Sequence, residues 1–281
     1  MDRYVGIEID GGNMYFMAET EDGLREHSVP TGRDCTLAYL QQEVEAFVSA
    51  LPYRPSGIGM GVPGLVAGSD KVELSHVLPA LNGVTAEQFA TSAGVPVAFI
   101  NDVKAGTMAE AVHYAGRDTV AVILLDAFIA AGFVVRGELL TGAKGWGGEL
   151  GYMIISADGK PQLLDTLASG YAILKEADVE DHVLRERLEA GDEESLALIR
   201  RAGTYFGYSL TNLLHLYNPD VIVIGGTTTT YPGYMEAAKA VLEEHALPEL
   251  LACCTLASPR IGKRVIAYGA REWIRTRAAA E

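Results

Sequence analysis

Two stretches of this chain pass through the same succession of apolar strand, glycine turn, returning strand and helix. In the first, Tyr4–Ile9 is strand-like, Asp10-Gly11-Gly12-Asn13 forms a tight turn, and a second strand starts at Met14. Residues 36–51 then put Leu37, Leu40, Val44, Phe47 and Val48 on one helical face. Strands at 58–62 and 97–100 and helices at 85–93 and 103–113 complete that series. The second series opens at the apolar run 120–125, and residues 133–135 and 138–140 flank Arg136-Gly137 as a hairpin. A glycine-rich loop at 142–151 leads to a strand at 152–155 and a mostly helical stretch at 163–190, broken near Ala177-Asp178. Over 194–217, Leu196, Ile199, Gly203, Phe206, Leu210, Leu213 and Tyr217 recur at spacings of three and four, an amphipathic stripe. Asn218-Pro219-Asp220 stops that helix, and the buried strand 221–224 ends in Gly225-Gly226. Two such series imply an α/β chain of two related lobes with a cleft between them.

The length of 281 residues suffices for one large domain or two modest ones with separate cores. A formal net charge of −15 leaves no basic surface to recruit nucleic acid or anionic lipid, so neither is expected as a partner. No apolar run approaches the roughly 20 residues needed to span a bilayer, and Tyr4 follows Met1-Asp2-Arg3 without a secretory apolar segment. Cys35, Cys253 and Cys254 have no metal-ligand spacing, and the adjacent pair suits a disulfide poorly. A cytoplasmic location is expected.

Several short motifs carry chemistry. Asn101-Asp102 lies between an apolar strand and a helix, where it is either a helix cap or a dyad held within reach of a substrate hydroxyl. Gly59-Met60-Gly61-Val62-Pro63-Gly64 matches a dinucleotide pattern in form only, because Pro63 intrudes and no helix opens there. Gly147-Gly148-Glu149-Leu150-Gly151-Tyr152 alone is a flexible loop, and the strand ending in Gly225-Gly226 alone is a core strand with a turn. No phosphate-binding G-x-x-x-x-G-K-[ST] loop is present.

In this order, however, the pieces resemble the ROK family (repressors, open reading frames and sugar kinases) of the actin-like ATPase superfamily. The matching segments are 6–13, Gly61-Val62-Pro63-Gly64, 101–111, 147–152, 164–170, 218–226 and Tyr268-Gly269-Ala270, which looks like the start of the family's final helix. The resemblance implies a two-lobed actin-like ATPase (ribonuclease H-like) α/β fold with a central cleft. The small lobe would be 1–115 completed by the helix 268–281, and the larger lobe 116–267. No winged-helix segment precedes Tyr4, which makes the chain similar to the kinase members. The resemblance further implies a homodimer, a small-molecule sugar as partner, and ATP with Mg2+ as cofactor. It implies Asp102 as the general base taking a proton from a sugar hydroxyl. Asn101, Glu149, Asp165 and Tyr152 would bind the sugar, and Gly11, Gly12, Asp126, Gly225 and Gly226 the nucleotide.

The chain departs from the family at four places. Tyr152 replaces the histidine of E-x-G-H, and residues 156–163 lack the cysteines of a zinc loop, so no zinc or other protein-held metal is expected. The phosphate turn D-x-G-G-T becomes Glu8-Ile9-Asp10-Gly11-Gly12, and G-T-G-x-G becomes Asp126-Ala127-Phe128-Ile129-Ala130. A carboxylate about 4 Å from one phosphate charge repels it by roughly 4 kcal/mol at an effective dielectric near 20. Three functions follow: a divergent kinase acting on a hexose or polyol, a non-catalytic sugar-binding or regulatory protein that has lost ATP, or metal-assisted hydrolysis in the same cleft.

Overall fold

The computed structural model describes residues 3–262 and 264–278. The chain folds as two compact units, one of Met1–His113, Leu139–Gly147 and Arg260–Glu281, the other of Tyr114–Glu138 and Gly148–Pro259.

The first unit is built on strands β1 (Tyr4–Ile9), β2 (Asn13–Thr20), β3 (Gly23–Pro30) and β4 (Gly57–Val62). A small β5–β6 hairpin (Leu65–Ala67, Lys71–Leu74) intervenes before β7 (Val97–Asn101). The sheet order is β3-β2-β1-β4-β7, with β1 antiparallel to β2 and parallel to β4. Helix α1 (Leu37–Ser49) is capped by the Thr36 hydroxyl, which accepts the Tyr39 N–H, and buries Leu40, Val44 and Phe47. They join Val5, Ile7, Phe16, Ile58, Met60 and Phe99 in one core, covered also by α2 (Ala86–Ala93) through Phe89. Helix α3 (Asp102–Ala111) follows β7 directly.

The second unit repeats the strand plan. Strands β8 (Thr119–Leu125) and β9 (Ile129–Val135) pair antiparallel, and the short β10 (Glu138–Leu139) borders β9. After the β11–β12 hairpin (Ile154–Ala157, Lys160–Leu163) come α4 (Asp165–Ala168), α5 (Gly170–Ala177), α6 (Asp181–Glu189) and α7 (Glu193–Tyr217). Strand β13 (Val221–Gly225), α8 (Tyr234–His245), α9 (Pro248–Cys253) and β14 (Thr255–Ala257) complete it. The sheet order β10-β9-β8-β13-β14 reproduces that of the first unit position for position. Its core centres on Phe206, Leu210, Leu213 and Leu214 of α7 against Ile123, Leu125, Ile222 and Ile224. Asp192 caps α7 by accepting the Ser195 N–H at 2.8 Å, and Asn218 ends it in the left-handed region at φ 40°.

Helix α10 (Val265–Ala278) lies against β1, β4 and α3 of the first unit. That packing explains the glycine pattern of β4. A Cβ on Gly59 would fall 1.7 Å from the carbonyl oxygen of Ala270, and one on Gly269 would fall 1.7 Å from that of Ala105. Gly59 and Gly269 are therefore packing residues that let helix backbone meet sheet and helix, and no helix N-terminus follows Gly64.

Four expectations from sequence need correction. The last helix starts at Val265, three residues before Tyr268, and its expected end at 279–281 lies outside the described residues. Residues 150–152 form a 3-10 turn, and the strand expected at 152–155 runs instead over Ile154–Ala157. The helical stretch starts at Asp165, because the residues in place of the cysteine loop pair as a hairpin with Ala157 opposite Lys160. Asp158 (φ 51°) and Gly159 (φ 71°) make its turn, the left-handed pair that two-residue hairpins favour. The Arg136-Gly137 hairpin is shorter than its pattern, since β10 ends at Leu139.

Candidate functional site

In the first unit, the expected site residues gather at the ends of β1 and β7. Asn101 caps α3, its Oδ1 accepting the Lys104 N–H at 3.2 Å, while its Nδ2 donates to Gly64 O at 3.0 Å and to Asp102 Oδ1 at 2.8 Å. Asp102 is the first helical residue, half-buried, and its Oδ1 also accepts the Val103 N–H at 2.8 Å. The cap and the carboxylate are thus separate residues. Asn101 terminates the backbone, and Asp102 is a carboxylate oriented by two donors at the positive end of a helix.

Across from β7, the turn after β1 is organised by Asp10. Its Oδ1 accepts the N–H of Gly12 at 2.6 Å and of Asn13 at 2.7 Å, while Asp10 N–H donates to Asn13 O at 2.9 Å. The Thr31 hydroxyl donates to Asp10 O at 2.7 Å, which ties the exposed turn of Gly11 and Gly12 to the end of β3. Glu8 sits beside them, with Oε2 buried and without a hydrogen-bond partner among the described residues. Burial first, then the charges of Asp10 and Asp102, push its carboxyl up to about 7.

In the second unit, Asp126 directly follows β8, and its side chain binds the turn after β13. Its Oδ1 accepts the Thr227 N–H at 2.6 Å and the Thr227 hydroxyl at 2.7 Å. Its carbonyl accepts the Gly170 N–H at 2.8 Å. Gly225 closes β13, and Gly226 takes φ 108° with its Cα against Leu125 O, where a Cβ would fall 2.2 Å from that oxygen. The chain can thus pass close enough for Thr227 to reach Asp126.

Glu149 is exposed just after Gly148, and Tyr152 is exposed over 63% of its surface. Asp165 Oδ1 accepts the Ile129 N–H at 2.7 Å; burial and the nearby Glu149 charge raise its carboxyl above the usual range, against that hydrogen bond. Glu149 and Asp165 are therefore neighbours, whereas Asp165 is bound to the strand that leaves the Asp126 turn. Among the described residues, no group of three or more His, Cys, Asp or Glu is arranged to hold a metal ion.

Two features had no clear signal in the sequence. The bond between Asp126 and Thr227 joins residues 101 apart. Phe128 and Tyr171, each more than half exposed, bring their ring centroids to 6.1 Å. For Asp10 a signal existed, because an Asp before Gly-Gly binds its own turn N–H groups.

The two units thus share one arrangement. In each, the turn after the first strand carries an aspartate whose Oδ1 takes up two donors, one of them at least a backbone N–H. The chain is 25% identical over 264 residues to the xylose repressor of Bacillus spizizenii, covering 86% of this chain and 68% of the repressor. It is 24% identical over 294 residues to the glucokinase of Halalkalibacterium halodurans, covering 88% of this chain and 87% of that enzyme. The crystal structure of a ROK hexokinase from Thermus thermophilus matches with a TM-score of 0.84 at 23% identity, over 98% of this chain and 99% of the other. The ROK family profile matches residues 4–277, and with the repeated five-stranded sheet this makes the chain a member of the ROK family with the mixed α/β fold of the actin-like ATPases.

Proposed function

We propose that this protein binds a carbohydrate without phosphorylating it, as a sugar-responsive or regulatory member of its family. The observation that carries this is that the chain's own carboxylates hold donors of the turn after β1 and of the turn after β13. The N–H groups of Gly12, Asn13 and Thr227 already hydrogen-bond Asp10 or Asp126. A phosphate at either turn would have to displace a carboxylate and then remain close to its charge. Repulsion of roughly 4 kcal/mol per close pair corresponds to about a thousandfold in affinity. The residues present therefore do not fit the phosphates of ATP, and Glu8 adds a third carboxyl beside Asp10.

The carbohydrate half of the proposal rests on side chains able to accept sugar hydroxyls: Asp102, held by Asn101 and the Val103 N–H, and the exposed Glu149 beside Asp165. The glucokinase relative, which this chain matches over most of its length, and the xylose repressor supply the ligand class.

A second function, ATP-dependent phosphorylation of a hexose or polyol, is favoured by one specific observation. Asp102 stands at a helix N-terminus with its carboxylate oriented, as a general base for a hydroxyl requires. Mass spectrometry of glucose, N-acetylglucosamine and xylose incubated with the protein and MgATP separates the two. Unchanged sugars together with saturable sugar binding support the proposal. A sugar phosphate whose formation is lost in Asp102→Asn establishes the kinase.

A further inference from the structure

We infer that Phe128 and Tyr171 form an aromatic platform receiving a second pyranose ring, so that the preferred ligand is a disaccharide or longer glycan; this rests on the carbohydrate-binding function proposed above. Phe128 lies on the turn between β8 and β9, and Tyr171 is near the start of α5, held there by its N–H donating to Ala127 O at 3.3 Å. The rings are inclined by 29° and exposed over 56% and 54% of their residue surfaces. Lys175, one helical turn on, sets its Nζ 5.9 Å from the Tyr171 ring centroid, a cation–π contact that steadies that ring. A paired aromatic surface left open to water is an apolar patch that a ligand can cover.

Three observations select a neutral sugar ring as the occupant. The platform is continuous with the Glu149–Asp165 segment, because the Ile129 N–H donates to Asp165 and the Ala131 N–H donates to Gly148 O at 2.9 Å. Phe128 is one peptide unit, about 3.8 Å between Cα atoms, from Ile129, whose N–H is held by Asp165, itself within the influence of the Glu149 charge. Asp126, two residues before Phe128, repels phosphates and other anions, while its Oδ2 has no donor among the described residues and can accept a hydroxyl. A pyranose offers both a C–H face, complementary to the negative face of an aromatic ring, and hydroxyls for that carboxylate.

Calorimetric titration of the intact protein with glucose, maltose, cellobiose and lactose, repeated on Phe128→Ala and Tyr171→Ala, tests this. We expect at least one disaccharide to bind about tenfold more tightly than glucose, and that preference to shrink to about unity in either variant with thermal midpoints unchanged. Glucose binding as tightly as every disaccharide, or a preference that survives both variants, overturns the platform and leaves the carbohydrate function standing. Adenosine binding that is lost in Phe128→Ala overturns it in favour of a nucleobase. Silence with every sugar overturns both proposals.

Discussion

The Asp126 Oδ1 atom lies 2.6 Å from the backbone nitrogen of Thr227, so a carboxylate of the chain occupies a donor at the start of the turn after β13. Asp10 does the same at the turn after β1, with two backbone N–H groups. Anion-binding turns work because small residues let N–H groups approach a phosphate unopposed. Here the anion is built in.

If the built-in carboxylates are what exclude nucleotide, removing them should admit it. The triple variant Asp10→Gly, Asp126→Gly, Phe128→Gly is expected to gain MgATP affinity by at least about a hundredfold, measured by calorimetry or a fluorescent nucleotide. A folded triple variant still silent toward MgATP would place the obstacle elsewhere.

Asp102 is expected to matter for sugar and little for folding. Asp102→Asn keeps the shape but loses the charge, and should weaken carbohydrate binding by about 2 kcal/mol, the scale of a hydrogen bond to a charged group. Asn101→Ala should instead cost about 1 kcal/mol of stability, because the Lys104 N–H loses its cap. Denaturant midpoints and sugar titrations on both variants check the division of labour.

Glu8 makes stability depend on pH in a defined direction. Its carboxyl is raised from 4.5 to about 7 in the folded chain, so the unfolded chain releases that proton at lower pH. Glu8 therefore favours folding fully below about pH 4.5, and this contribution is lost as pH rises through about 7. The loss is about 3 kcal/mol at most, and Glu8→Gln should flatten that part of the pH–stability curve. An unchanged curve in the variant would remove Glu8 from this role.

Much of this fold is legible in the chain, and the reasons are local. The strand 97–101 running into Asn101-Asp102 announces a capped helix, and the stripe from Leu196 to Tyr217 announces α7 to within a residue. Pro63 correctly argues against a nucleotide loop at Gly59-x-Gly61, but only the return of α10 explains those glycines. The same limit applies to Asp126 and Thr227, which no window of sequence brings together. Helix α8 and strand β14 likewise carry no clear signal in the chain. The hairpin in place of the cysteine loop is half legible: the missing cysteines are plain, and Asp158-Gly159 is a hairpin turn signal.

The packing of α10 supplies a stability test that involves no ligand. Gly59→Ala drives a Cβ into the Ala270 carbonyl and should cost about 3 kcal/mol or prevent folding. Gly32→Ala, where no atom lies within 4 Å of the new Cβ, should change stability by less than about half a kcal/mol. Equal midpoints for the two variants would contradict the packing described for the first unit.

This ROK protein is expected to meet sugar but not nucleotide, and one calorimeter cell can test both halves of that expectation. A carbohydrate from the panel above should give saturable heat, and MgATP at about 1 mM should give none in the same protein sample. Saturable MgATP binding in the micromolar range would contradict it, because Asp10 and Asp126 would then have to yield their donors to phosphate.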